Sequence, residues 1–419
     1  MIITFYSYKG GVGRTFLAAN LAACLCYRFG KKVLIIDWDL EAPGMNFYFN
    51  KGYSDIKRQG LIDVLTQYVQ RVRQDKNIEE KELPRITKDN IEPLIDFKKE
   101  GGCIDLLPAG NYSDFKTYLN TIFDFNWYEF YDLLDGKRYI EFLKTELKKL
   151  DYDYIFIDSR TGLADYADIC NIQMPDMNII VCAPNRQNID GSFEVANRIV
   201  NSPYVKSGKF RKPIVLPILS RVEQEAPEFS GFFNSFKEKF NYLLAYIEEF
   251  NSLIFNFNTY FKDSMIGYNR FVAIGENLLF SKERAKDNQI YGTTESFLYI
   301  AASIQSFKKE LFPQKNIGLE KNNGINGKST NTISDKVRSL IADGKTEVAF
   351  AFLKDYIVST KDTYLLNQAF ALASRLSRIQ NDRLLGLSDP GDIYMERNRI
   401  NLAILSLVNE INKKVQLPS

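Results

Sequence analysis

Ile2-Ile-Thr-Phe-Tyr-Ser-Tyr-Lys-Gly-Gly-Val-Gly-Arg-Thr15 is the stretch that decides the fold. Its opening, Ile2 to Tyr6, is apolar, β-branched and aromatic, as in a strand buried on both faces. Glycines then break the run. A helical pattern resumes at Phe16 and continues to about Phe29, with Leu17, Leu21, Cys24 and Leu25 on one face and Gly30 at its end. A strand, a glycine loop and a helix N-terminus in succession form an anion site, because backbone N–H groups converge there and the helix dipole adds partial positive charge. Gly10, Gly11 and Gly13 allow the backbone to close around a phosphate, and Val12, Arg14, Thr15 and Phe16 complete the candidate cradle.

Thr15 falls where the hydroxyl of GxxxxGK[ST] reaches Mg²⁺. Two positions depart from that pattern: Tyr8 replaces the first glycine, and Arg14 replaces the lysine, with Lys9 as a compensating cation. Arginine keeps the charge but is planar and bulkier, so this swap is not conservative. Two further strands carry carboxylates at their ends. Lys32-Val-Leu-Ile-Ile-Asp37-Trp-Asp39-Leu-Glu-Ala-Pro-Gly44 places Asp37 and Asp39 where parallel sheets bind ligands, and Tyr154-Ile-Phe-Ile-Asp158-Ser-Arg-Thr-Gly162 presents Asp158 to a metal shell.

Composition narrows the class. Lys+Arg 54 against Asp+Glu 52 gives a net charge of +2, no sign of a surface dominated by nucleic-acid or anionic-membrane binding. Five cysteines without a CxxC pair point to a reducing, cytoplasmic setting, and Cys24 and Cys26 are read as packing residues. The absence of histidine excludes His-based triads and zinc sites with a His ligand. No signal peptide or membrane-length apolar run is visible.

KGGVGRT resembles the deviant Walker A loop, KGGxGK[ST], of the ParA/MinD-type ATPases. The resemblance implies an α/β fold with a mostly parallel sheet and helices on both faces, binding ATP and Mg²⁺. It gives Lys9 the role of reaching across a homodimer to the partner's nucleotide. Asp39 aligns with the carboxylate that positions attacking water, Asp37 with a residue near Mg²⁺, and Asp158 and Thr15 with the metal shell. Lys9, Asp39 and Arg14 are the candidate catalytic set. Gly162 falls where a backbone N–H approaches the γ-phosphate. For Arg160 two readings stand: a phosphate or partner contact, or a structural pair with Asp165 or Asp168. Ser220 and Arg221, after the strand beginning at Ile214, are candidate base contacts. The strand Met177–Cys182 and the segment after it resemble the family's dimer face.

Residues 50–100 are an insertion relative to a minimal ATPase, helical over 61–72 and, over 74–100, charge-rich and solvated. A strand at 103–110, two helices within 117–150, a last strand at 265–274 and a closing helix Tyr291–Leu311 complete a domain spanning 1–312. Residues 313–332 are polar and rich in Asn and Gly, the composition of a linker. Residues 333–417 read as four helices in a small bundle. They resemble an effector-associated domain of bacterial conflict systems, which implies an effector protein carrying a matching adaptor domain. Arg375, Arg378, Arg383, Arg397 and Arg399 offer it a polar surface, while Ile400, Ile404, Leu407, Val408 and Ile411 form a stripe that closes the bundle. The expected function is a MgATP-dependent dimerising switch with slow hydrolysis that controls the adaptor domain in antiviral or stress signalling. The alternatives are a positioning ATPase acting on DNA or membrane, and a nucleotide-binding scaffold without hydrolysis.

Overall fold

The computed structural model describes residues 1–75, 77–97, 102–162, 168–208, 210, 212–245, 259–269, 276–280 and 291–312, together with helix 346–360 and scattered positions between 337 and 411. Cα packing divides the chain into one unit of Met1–Glu249 with Ser264–Phe297 and a second of Phe250–Asp263 with Leu298–Ser419.

The first unit is built on a seven-stranded sheet: β1 (Ile2–Tyr6), β2 (Lys32–Asp37), β3 (Glu92–Phe97), β4 (Gly102–Leu107), β5 (Tyr154–Asp158), β6 (Met177–Cys182) and β7 (Ile214–Leu219). Their order is β3-β4-β2-β5-β1-β6-β7. Every pairing is parallel except β3 with β4. β1, β5, β6 and β7 are buried along their whole length, which is why they read as unbroken apolar runs rather than as alternating ones. Five helices carry labels: α1 (Arg14–Phe29), α2 (Leu61–Gln74), α3 (Phe115–Asp124), α4 (Gly136–Lys149) and α5 (Arg186–Val200). The connection from β1 to β2 runs one way along the sheet and that from β6 to β7 the other. Right-handed crossovers in opposite directions put α1 and α5 on opposite faces. The reversal falls at β1, the switch point where open α/β sheets bind ligands.

Three expectations change. α1 starts at Arg14 rather than Phe16, because Gly13 completes the turn and the Leu17 N–H already bonds the Gly13 carbonyl at 2.9 Å. The charged stretch 74–100 contains β3, an antiparallel edge strand whose Glu92 is paired with Lys51 (2.7 Å) and Arg58 (3.2 Å). At 265–269 the chain makes one parallel bridge, Gly267 to Val222, in place of a strand, and the rest of that expected strand lies outside the described residues. Cys24 and Cys26 are buried, and burial pushes both thiols far above the usual range, as packing residues require.

In the second unit the helix Thr346–Thr360 supplies Ala349, Phe350, Leu353 and Ile357 to a buried cluster that also holds Val337, Leu365, Leu372, Leu376, Ile400, Ile404, Leu407, Val408 and Ile411. The terminal stripe therefore faces the core. The segment 313–332 and Arg378, Arg383 and Arg399 lie outside the described residues. Among the described residues no helix is long and apolar enough to cross a membrane.

Candidate nucleotide site

Strand register builds the site. Phe5 of β1 and Asp37 of β2 both stand beside Asp158 of β5, so two carboxylates and the loop after β1 emerge side by side at the carboxyl edge of the sheet. In that loop Gly11 (φ 75°) and Gly13 (φ 92°) take the left-handed conformation. A Cβ on Gly13 would also come 3.1 Å from Ser220 Oγ, whereas one on Gly10 or Gly11 would meet nothing within 4 Å. The cradle is thus tight at its base and open above. Val12 turns its side chain inward. No side chain caps α1 and its first turn holds no acidic residue, so its N–H groups and dipole are left for an anion.

Arg14, the first residue of α1, is buried at 6 % exposure. Its Nε donates to Asp158 Oδ1 at 2.6 Å and its Nη2 to Asp39 Oδ2 at 2.8 Å. Burial lowers the guanidinium pKa, but Asp158 and then Asp39 raise it by more, so the charge is held. Asp37 is fully buried and accepts three backbone N–H groups: Asp39 at 3.3 Å, Gly44 at 3.1 Å and Met45 at 3.2 Å. Burial, with the Asp158 charge beside it, pushes its carboxyl up to about 8. Burial raises the Asp158 carboxyl too, while Arg14 and the Thr15 hydroxyl, both bonded to it, pull it part of the way back.

The donor set fits a phosphate and a hard cation. Arg14 Nη1 and Ser7 Oγ are buried beside the loop without a hydrogen-bond partner. Thr15, Asp37 and Asp158 are oxygen donors of the kind Mg²⁺ takes. Among the described residues no three carboxylates or thiols are arranged to hold a metal by themselves. That suits Mg²⁺, which usually relies on one or two carboxylates plus substrate phosphates and water.

The other expected residues are distributed around this centre. Lys9 is exposed, with Nζ 5.7 Å from the centroid of the Tyr8 ring, outside the carboxylate cluster. Tyr8 packs against α5, where a Cβ on Gly191 would fall 2.3 Å from its ring, so the residue that displaced the first glycine anchors the loop. The Gly162 N–H bonds the Ser7 carbonyl at 3.3 Å, and its own carbonyl accepts from Tyr6 at 3.1 Å. Ser220 is buried under the loop beside Gly13. Arg221 is exposed in a left-handed conformation (φ 56°), its guanidinium 5.9 Å from the Tyr268 ring. Phe16 packs edge-on to Phe297 (5.9 Å) and against Tyr48 (6.4 Å).

Sequence reading missed two partners. Arg160 pairs with Glu41 at 2.5 Å, while Asp168 is taken by Arg198 at 2.9 Å and Asp165 lies outside the described residues. Glu41 was visible two positions after Asp39, but nothing local tied it to a residue 119 positions away. Tyr48, whose hydroxyl burial pushes up to about 12, feels the charges of Glu276, Asp158 and Arg221 at once. Nothing in its aromatic-rich surroundings singled it out.

Residues 1–112 match the family "AAA domain" and residues 332–412 match "Effector-associated domain 11". An uncharacterized ATP-binding protein of Methanocaldococcus jannaschii is 43 % identical over 67 residues, 16 % of this chain and 24 % of that protein. The chain thus spans about a quarter of that relative's length. Solved structures with a similar trace include the septum site-determining protein MinD complexed with Mg-ADP from Pyrococcus horikoshii (19 % identity, 73 % of this chain and 96 % of that one, TM-score 0.46). Another is a ParA family ATPase from Chlorobium tepidum (16 % identity, 72 % and 98 %, TM-score 0.44). With the glycine loop and strand-end carboxylates in place, the chain carries the AAA-domain match in its amino-terminal part, residues 1–112, and the effector-associated domain 11 match in its carboxyl-terminal part, residues 332–412.

Proposed function

We propose that the chain is a nucleotide-operated switch. ATP with Mg²⁺ binds at the loop of residues 9–16, two copies associate across it, and the carboxyl-terminal domain recruits or activates an effector protein with a matching domain, in the cytoplasm and in antiviral or stress signalling. The observation that carries this reading is the convergence at one sheet edge of an uncapped helix start, an open glycine cradle and the buried Arg14–Asp158 pair with Asp39 beside it. Thr15, Asp158 and Asp37 would hold the metal, which when bound supplies charge stabilisation on the phosphates. Arg14 Nη1 has N–H donors without a partner, available to a phosphate oxygen. Lys9, which is exposed, would be lent to a partner copy, and Asp39 would orient water. Without histidine, hydrolysis rests on positioning and electrostatics and is slow. Base recognition by Ser220 and Arg221, and a division into 1–312, a 313–332 linker and 333–417, belong to the same proposal.

Light scattering on the full chain with and without Mg²⁺ and a non-hydrolysable ATP analogue tests it. Nucleotide should favour the dimer, and Lys9→Ala should abolish the shift while leaving nucleotide binding in place. A chain of unchanged mass that binds no analogue would overturn the reading.

A further inference from the structure

The segment that follows β2, residues 38–44, is held from several sides. The Trp38 N–H bonds the Asp158 carbonyl at 2.9 Å, the Tyr118 hydroxyl donates to the Leu40 carbonyl, and Tyr53 donates to the Pro43 carbonyl at 2.9 Å. Asp37 holds its far end through Gly44 and Met45. The donors in these bonds are neutral N–H and O–H groups, and of their acceptors only the Asp37 carboxylate belongs to the set that the nucleotide reading gives to the metal. Two attachments are ionic: Arg14 to Asp39, partly buried, and Arg160 to Glu41, half exposed. Arg14 is different in kind because its second arm holds Asp158, the carboxylate that the nucleotide reading assigns to the metal.

Resting on that reading, we propose that Arg14 is an internal counter-cation that competes with the divalent metal for Asp158 and, through Asp39, couples that competition to the position of residues 38–44. A planar guanidinium can face two carboxylates from different strands with two different nitrogens, as Nε and Nη2 do here; an ammonium is a single centre and bridges them less well. For Asp158 to serve a metal, Nε has to release it, and one of two charge-assisted bonds holding the guanidinium is lost. Arg14 is then held by Asp39 alone and free to turn toward the phosphates, where its Nη1 already lacks a partner. Metal-free nucleotide leaves the bridge intact. The chain therefore gains less from Mg²⁺ than a lysine version would, and the segment after β2 moves only when metal and nucleotide are both present.

Calorimetric titration of the full chain with ADP, once in EDTA and once in saturating Mg²⁺, gives the factor by which the metal tightens ADP binding. Taking this ratio cancels any change in phosphate affinity itself. Arg14→Lys and Arg14→Gln should both raise the factor, by about tenfold, the value of one charge-assisted bond. Trp38, between Asp37 and Asp39, reports the movement once Trp127 is replaced by Phe: its fluorescence should change with Mg·ADP and not with ADP in EDTA. An unchanged factor in both variants, or a full Trp38 response to metal-free ADP, overturns the proposal. ADP binding to none of the proteins would instead overturn the nucleotide reading beneath it.

Discussion

At the carboxyl edge of the sheet the buried volume is filled by ionisable groups: Asp158 and Arg14, 1 % and 6 % exposed, are paired, and Asp37, 0 % exposed, stands beside Asp158. In the helical unit beyond residue 337 the buried cluster consists of aliphatic side chains and Phe350. Both regions exclude water, but for different ends. Aliphatic packing has no direction, so residues such as Leu353 and Ile404 hold the helices together and tolerate swaps of similar volume. A buried ion cluster adds little net stability, yet each member depends on the others being present and correctly aimed. The comparison teaches where change can be absorbed. The helical core can drift in sequence and keep its shape, whereas the strand-end cluster cannot lose one member without stranding another.

Five substitutions at four positions break or sharpen this contrast. The largest effect is expected from Asp158→Ala, which leaves Arg14 Nε buried and unpaired; a loss of about 3–5 kcal/mol should appear in urea unfolding followed by tryptophan fluorescence, since both tryptophans lie in the first unit. Leu353→Ala opens a cavity in the aliphatic cluster and should cost about 2–5 kcal/mol, seen as faster amide exchange over residues 346–360. Leu353→Met, close in volume, should cost less than about 1.5 kcal/mol and so mark the tolerance of that core. Gly13→Ala should cost about 1–2 kcal/mol from its left-handed backbone alone, with a further loss of ADP affinity measured by calorimetry as the loop shifts away from Ser220. Arg160→Ala removes a pair that is half in water, and the midpoint of unfolding should move by no more than about 0.5 kcal/mol. A large effect there, or a negligible one at Asp158, would erase the distinction between buried and exposed charge on which the comparison stands.

Much of this was legible in the residues. β1, β2, β5, β6 and β7 are short β-branched runs bounded by glycine, proline or aspartate, and the buried parallel strands fall where those runs stand. The glycine loop was legible because its glycines mark a backbone that other residues resist. What stayed hidden was pairing at long range. Arg14 reads locally as a substituted phosphate ligand, and nothing within reach of a helical turn announces partners 25 and 144 positions away. Arg160 offered acidic neighbours downstream and took one far upstream instead. β3 was masked by its own composition: Glu92 and Asp96 suit an edge strand open to solvent, the same charges that suggest a loop.

The two outer strands of the sheet each contain a proline, Pro93 where β3 slips register against β4 and Pro217 midway along β7. A residue without an N–H interrupts the row of donors that a visiting strand would need, so neither rim invites growth of the sheet by lateral addition. The pairing of two copies proposed above would then use surfaces made of loops and helix ends rather than the rims.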